Sequence, residues 1–230
     1  MTPRTLSVLV PIYNERATIE RLLTAVASVQ TGLTLEILAC DDGSTDGTRD
    51  ILSRLSLPGL KVIFMDENVG RGGVIKHLWT IASGEIYVHQ DADLEYNPQD
   101  YIPLLQPILS GAADVVYGSR FKGSIEKMRW LNRLGNVVMT AAARTLYGVN
   151  VSDLMTCYKM YRAALVEGLH IRANGFDFEA EFTARLAQRG ARFAEVPVSF
   201  SGRTFEEGKK IRAFDAVRVM RELVRCKWAN

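Results

Sequence analysis

Cysteine is scarce and scattered: Cys40, Cys157 and Cys226 are the only three in 230 residues. An odd number at such spacing excludes a disulfide-built scaffold and predicts reduced thiols, as in a cytoplasmic protein. The three histidines, His77, His89 and His170, have no zinc-ligand spacing. No apolar run approaches the ~18–20 residues of a membrane-spanning helix. The opening "MTPRTLSVLVPIYNE" reaches a polar Tyr-Asn-Glu too early to hold a signal peptide. A net charge of +2 gives no reason to expect nucleic acid as a partner. There is no internal repeat, no low-complexity linker and no GxxxxGK[ST] phosphate loop. The "GRGG" at 70–73 does not have dinucleotide-fingerprint spacing. Its glycines are expected to let the backbone pass close to a ligand or to the sheet.

What is present is an ordinary globular composition, 47% apolar and 23% charged, long enough for one compact domain with a real core. "TLSVLVPI", "LTLEILA", "KVIFM", "EIYVHQ" and "ADVVYGSRF" are apolar runs of strand length. Helical patterns separate them. Ile19, Leu22, Leu23 and Val26 share one face, with Asn14 as the expected cap and Glu15 near the positive end. Thr45 or Asp46 is placed to cap the helix through "RDILSRLS", and "NVGRGGVIKHLWTIAS" starts on glycine. Asn97 and Pro98 fit a cap followed by a first-turn proline, while Pro103 and Pro107 require that helix to be short or bent. Further on, residues 126–147 read as helix and "CYKMY" as a short strand. "FDFEAEFTARLAQRG" reads as an amphipathic helix stopped at Gly190, "FAEVPVSF" as a strand and residues 211–228 as a last helix.

Strands alternating with helices predict an α/β fold with a mostly parallel, doubly wound sheet. Ligands bind beyond the carboxyl ends of such strands. The polar clusters "YNE", "CDDGS", "DEN" and "DADLE" each follow a strand, so all four are expected on one edge. Asp91 and Asp93 would project the same way from an extended segment. Two such carboxylates suit a hard divalent cation, Mg²⁺ or Mn²⁺, whose other ligands come from water and substrate phosphates. An isolated acid pair is more often a solvated loop, but these acids end a buried strand on a shared polar edge. A metal held by acids without a phosphate loop suggests diphosphate as a leaving group.

The segments "VLVPIYNE", "CDDGSTDGT", "ENVGRGGVIK", "DADLEYNP", "YGSRF", "DLMTCYKMYR" and "GRTFEEGKKI" together resemble the inverting family 2 glycosyltransferases of GT-A fold. Within them the chain is most similar to the dolichol-phosphate mannose synthase branch. That resemblance spans nearly the whole chain. It implies a Rossmann-like three-layer sandwich, a nucleotide-diphosphate sugar donor and a polyprenyl phosphate acceptor, dolichyl or undecaprenyl. It implies one domain over 1–230, with 1–97 the donor half and 98–230 the acceptor half. By resemblance, Pro11, Tyr13, Glu15 and Asp42 line the nucleoside pocket, and Asp91, Ala92 and Asp93 meet the metal and diphosphate. Glu95, where mannose synthases commonly carry glutamine, would be a third ligand. Arg120 would meet the acceptor phosphate with Arg129 and Asn132, and Arg203 and Lys209 would close over the two phosphates.

A phosphate monoester is already anionic near neutral pH, its second pKa being about 6. It can therefore attack the sugar carbon without a general base and invert it. Guanosine with mannose and uridine with glucose both remain open. From Arg203 to Lys227 cations outnumber acids, and Phe214, Val217, Met220, Leu223, Val224 and Trp228 recur beside Arg218, Arg221 and Arg225. Such a helix either lies on an anionic membrane surface, making the protein peripheral on its cytoplasmic face, or packs on the domain. A membrane-anchored partner is a further way to reach lipid. Two other functions fit less of the pattern. One is transfer to a sugar or protein hydroxyl, needing a base such as Glu179 or Glu181; the other is a non-catalytic nucleotide-sugar-binding adaptor.

Overall fold

The computed structural model describes residues 3–128, 130–203 and 213–228. In the first half β1 (Thr5–Ile12), β2 (Thr34–Asp41), β3 (Leu60–Phe64) and β4 (Ile86–His89) alternate with α1 (Ile19–Ala27), α2 (Thr48–Leu52) and α3 (Arg71–Trp79). Then come α4 (Tyr101–Leu109), β5 (Val115–Ser119), β6 (Ile125–Glu126), α5 (Trp130–Tyr147) and β7 (Lys159–Arg162). The chain continues through α6 (Phe178–Gln188), β8 (Phe193–Pro197), β9 (Phe200–Ser201) and α7 (Ala213–Trp228). Among the described residues a seven-stranded sheet runs β3-β2-β1-β4-β7-β5-β8, and β6 pairs with β9 beside it. Every pairing in the large sheet is parallel except those of β7, which runs against both β4 and β5. β7 therefore starts on the edge where its neighbours end, which brings residues 153–158 there. The fold is α/β, three layers around a mostly parallel sheet.

Strand periodicity divides the core into two layers. Val8 and Val10 of β1 face one layer with Leu22, Leu23 and Val26 of α1 and Leu104 and Ile108 of α4. Leu9 faces the other with Val74 and Leu78 of α3, Phe178 and Phe182 of α6, and Val219 and Leu223 of α7. The expected faces of α1 are buried as the 3.6-residue period requires.

Local details differ from expectation for physical reasons. Asn14 does not cap α1, whose cap position is Thr18. Asn14 adopts a left-handed conformation, φ 52°. There its N–H donates to Ser44 Oγ and its Oδ1 accepts from Thr45 N. Asn14 thus ties the loop after β1 to the loop after β2. Asp46 Oδ1 accepts from Thr48 N at 3.0 Å, although the cap position of α2 is Gly47. Asn97 accepts from Gln99 N ahead of Pro98, and α4 is nine residues long with Pro107 inside it. Helix α5 starts at Trp130; residues 125–126 form β6 instead. α6 is not amphipathic in its packing, because Phe178 through Ala184 are all buried, Glu179 and Glu181 included.

The glycines of "GRGG" serve packing between protein segments. A Cβ on Gly72 would lie 2.6 Å from Phe178 Cβ, so α3 and α6 touch where no side chain fits. Gly70, at φ 83°, passes the Asn174 carbonyl at a point where a Cβ would sit 2.7 Å away. Gly72→Ala should therefore overpack this contact and lower unfolding stability by roughly 1–3 kcal/mol in urea titration. An unchanged midpoint would show that α3 and α6 are free to separate.

Buried Glu36 locks β2 to its neighbours. It accepts from Ser7 Oγ at 2.6 Å, Ser83 N at 2.8 Å and Lys61 Nζ at 2.8 Å. Burial pushes its pKa up, but Lys61, Ser7 and Ser83 outweigh that and bring it from 4.5 to about 2. A depressed acid contributes stability above its unfolded pKa and loses it as pH falls through the folded one. Glu36→Gln should therefore cost roughly 1–3 kcal/mol at pH 7. That gap should close between pH 4.5 and about 2; a gap independent of pH would contradict this assignment.

Candidate functional site

The four polar clusters meet in one cavity of about 280 Å³ at the carboxyl edge of the sheet. β1 contributes Pro11 and Ile12, with Tyr13 and Glu15 just beyond it; the loop after β2 contributes Asp42. Asn68, Gly70 and Arg71 come from the start of α3, and Asp91, Ala92, Asp93 and Glu95 follow β4. Phe176 and Arg203 close the wall. Asp91 and Asp93 do not reach the cavity from an extended chain. Residues after His89 turn, with Leu94 left-handed at φ 61°, and the turn folds both aspartates inward.

Asp42 holds the cavity wall together. Its carboxylate accepts from Val69 N at 2.7 Å and Gly70 N at 2.9 Å, and its carbonyl accepts from Asn68 Nδ2. The residue expected to line the nucleoside pocket thus also fastens the turn that starts α3. Burial raises its pKa despite these two donors.

Asp91 and Asp93, two residues apart, have opposite electrostatic environments. Arg71 Nε donates to Asp91 Oδ1 at 2.9 Å, Arg71 also donates to Glu179, and its Nη2 lies 3.6 Å from Cys157 Sγ. Glu179 in turn pairs with Lys159, which is fully buried and donates to the Leu154 and Thr156 carbonyls. Against the effect of burial, Arg71 holds Asp91 below the usual carboxylate range. Asp93 is pushed up to about 7 by burial, then by the charges of Asp91 and Glu95, which Arg203 only partly offsets.

Arg203 spans the cavity. It donates to both Glu15 oxygens, at 2.8 and 3.0 Å, and lies 3.3 Å from Asp93 Oδ2. Its N–H donates to Glu95 Oε1 at 2.6 Å. The donor set of Asp91, Asp93 and Glu95 is all carboxylate oxygen, and the raised pKa of Asp93 reflects a crowding of acids that Arg203 only partly offsets. That chemistry fits Mg²⁺ or Mn²⁺. Glu95 would bring one oxygen already engaged by Arg203.

Arg120 follows β5 and forms a forked pair with Asp153, Nε–Oδ2 at 2.7 Å and Nη2–Oδ1 at 2.8 Å. Asn136 of α5 braces Asp153, and the Arg120 guanidinium stacks 5.1 Å from the Phe200 ring centroid. Arg120 lies outside the cavity lining, with one guanidinium nitrogen, Nη1, not used by Asp153. Asn132 is on the exposed first turn of α5, away from the brace that Asn136 makes. Arg129 and Lys209 lie outside the described residues. Neither candidate base is available. Glu179 is held between Arg71 and Lys159, and Glu181 accepts from Arg172 N and Ala173 N and pairs with Arg225.

Arg71 and Phe176 are cavity residues that sequence reasoning passed over, while Asn68 belongs to the "DEN" cluster expected on this edge. A signal for Arg71 existed: a cation on the first turn of a helix opposes the helix dipole. Such a residue implies a compensating acid nearby.

Among the described side chains, which leave out Phe214, exposed apolar surface lies on α5 more than on α7. Trp130 is 70% exposed, and Leu131, Leu134, Val137 and Val138 are about half exposed. On α7, Val219, Leu223 and Cys226 are buried while Val217, Val224 and Trp228 face out. The expected apolar face of α7 is thus split between packing and exposure. Among the described residues no helix is long and apolar enough to cross a membrane.

Several known proteins are similar to this chain. A polyprenol monophosphomannose synthase of Mycolicibacterium smegmatis is 30% identical over 88% of this chain and 79% of its own. A dolichyl-phosphate hexose transferase of Haloferax volcanii is 31% identical over 87% of this chain and 85% of its own. An undecaprenyl-phosphate mannosyltransferase of Micrococcus luteus is 28% identical over 87% and 85%. Among solved structures, glucosyl-3-phosphoglycerate synthase of Mycobacterium tuberculosis, in complex with Mn²⁺, UDP and phosphoglyceric acid, superposes with TM-score 0.74. It is 23% identical, with 99% of this chain and 80% of that one covered, a likeness of fold. The family model described as Glycosyl transferase family 2 matches residues 7–169, and the chain belongs to that family.

Proposed function

We propose that this chain transfers a hexose, mannose or glucose, from a nucleotide-diphosphate sugar to a polyprenyl phosphate, using Mg²⁺ or Mn²⁺ and inverting the sugar carbon. The observation that carries this reading is an acid-lined cavity beside a separate, braced arginine, with the two base candidates, Glu179 and Glu181, both held in ion pairs. The relatives supply the acceptor class, since those compared act on polyprenyl, dolichyl or undecaprenyl phosphates by name. Residues 1–97 would supply most of the donor site, which Phe176 and Arg203 of the second half complete, and the rest of 98–230 would hold the acceptor.

The nucleoside would lie against Pro11, Tyr13 and the wall that Asp42 fastens. Asp91, Asp93 and Glu95 would hold the divalent ion, which when bound neutralises charge developing on the departing diphosphate. Arg203, with Lys209, would contribute further positive charge over the phosphates. Arg120, with Arg129 and Asn132, would orient the acceptor phosphate; Asp153 keeps the Arg120 guanidinium in one plane. An acceptor oxygen forms the new bond to the anomeric carbon as the bond to diphosphate breaks and its electron pair leaves with the diphosphate. No proton has to be removed, because the acceptor is already anionic. Alignment of two anions and screening of their repulsion are the protein's contributions.

The acceptor's long apolar tail needs a surface to enter from. α5 runs from the exposed Trp130–Leu134 turn to Asn136, which braces the Asp153–Arg120 pair. We place the lipid surface against this end of α5, with the exposed residues of α7 alongside.

In an assay with labelled nucleotide sugar, polyprenyl phosphate and Mn²⁺, label should enter an organic-extractable, acid-labile product. Asp93→Asn should lose roughly 100-fold or more of that transfer while circular dichroism stays unchanged. Label appearing only in water-soluble product would instead favour a hydroxyl acceptor, and binding without turnover an adaptor. On anionic vesicles, Trp130→Ser with Leu134→Ser should weaken co-sedimentation about tenfold or more, from lost apolar burial. Unchanged sedimentation would remove α5 from the membrane face.

A further inference from the structure

The two arginines lining the donor cavity, Arg71 and Arg203, contact Asp91 and Asp93 respectively, but they are built differently. Arg71 is embedded. It is gripped by Asp91 and Glu179, with Cys157 Sγ 3.6 Å from Nη2. Behind it, Glu179 is pinned by Lys159, and Lys159 by the backbone carbonyls of Leu154 and Thr156. Moving Arg71 would leave Asp91 without its cation and the buried Glu179 with Lys159 alone.

Arg203 stands on a chain segment just past β9, held from behind by its own N–H to Glu95 and by Gly202 N to Glu126 O. Its guanidinium reaches across the cavity mouth to Glu15 and Asp93. The fork to Glu15 is tight, 2.8 and 3.0 Å, whereas the contact to Asp93 is longer, 3.3 Å. Arg203 can release Asp93 and keep its fork on Glu15. Arg71 has no comparable loose contact, since its bond to Asp91 is 2.9 Å.

We infer that the donor site contains one fixed and one exchangeable cation, and that a divalent ion reaches Asp93 by displacing the Arg203 guanidinium while Arg71 stays on Asp91. This rests on the metal-dependent reading above. A metal and a guanidinium on the same carboxylate oxygen repel one another across a few ångströms. With no anion present they compete. A nucleoside diphosphate reverses the sign: its oxygens give the released guanidinium a new partner, so Arg203 then favours the loaded site. Arg203 thereby couples metal binding to donor binding, and coupling energies of this kind correspond to factors of about 5–150.

The test is Mn²⁺ binding, followed by electron paramagnetic resonance, to wild type, Arg203→Ala, Arg203→Gln and Arg71→Lys, alone and then with UDP or GDP. Circular dichroism identifies any variant that fails to fold, and the two Arg203 substitutions substitute for one another. Removing Arg203 should tighten Mn²⁺ alone about tenfold and erase most of the gain that nucleoside diphosphate gives wild type. Arg71→Lys should leave Mn²⁺ alone no tighter than in wild type. The inference is overturned if Arg203 variants bind Mn²⁺ alone no better than wild type, or if Arg71→Lys tightens it equally. Failure of the donor reading would look different: wild type and variants would bind Mn²⁺ with no response to either nucleotide.

Discussion

Mutual repulsion among carboxylates governs the organisation of this molecule. Glu15, Asp42, Asp91, Asp93 and Glu95 come from three strand ends and converge on one small cavity. Left alone, that concentration of charge would force the loops apart. Each acid is instead given a specific answer: backbone N–H groups for Asp42, a buried arginine for Asp91, a forked arginine for Glu15. Asp93, crowded by Asp91 and Glu95, is only partly offset by Arg203, and it lies where a divalent ion would complete its compensation. The arrangement around the cavity can be understood as the means of keeping that deficit in place.

The answers come from far along the chain, which is why the fold matters to the chemistry. Arg71 begins α3, Glu179 sits on α6 and Lys159 on β7, and the three form one buried chain behind Asp91. β7 enters the sheet against its neighbours, so residues 153–158 arrive at the same edge as the cavity. Asp153 then orients Arg120, and the carbonyls of Leu154 and Thr156 hold Lys159. The groups we propose for the donor side and for the acceptor side are therefore fixed to one short stretch of backbone. A rigid spacing between two anions that must meet in line is the kind of positioning such chemistry requires.

Much of this was legible in order along the chain. Apolar runs marked β1, β2 and β4, and the polar residues closing each run marked the edge where the cavity lies. The motifs around Asp91 and Arg120 pointed to a family, and the family model and relatives agree with it. Long-range pairing was less visible. Nothing local in "CYKMY" says that β7 inserts antiparallel between β4 and β5. The charges of Glu179 and Glu181 gave α6 an amphipathic look, because their partners Arg71, Lys159 and Arg225 are distant in sequence. Asn14 had a cap's composition, but a left-handed backbone and two loop contacts claimed it. The exposed stripe of α5 was within reach of periodicity and was overshadowed by the more basic α7.

The central claim is that Asp93 takes a divalent ion bridging to a sugar-nucleotide diphosphate, with Arg203 moving from the carboxylate to the phosphates. Anomalous diffraction from crystals soaked with Mn²⁺ and a nucleotide-diphosphate sugar tests it most directly. The account predicts a manganese peak on Asp93 with the diphosphate beside it, Arg71 still on Asp91, and the Arg203 guanidinium turned toward phosphate oxygen. Manganese bound elsewhere, or a filled donor cavity with Arg203 still seated on Asp93, would contradict it.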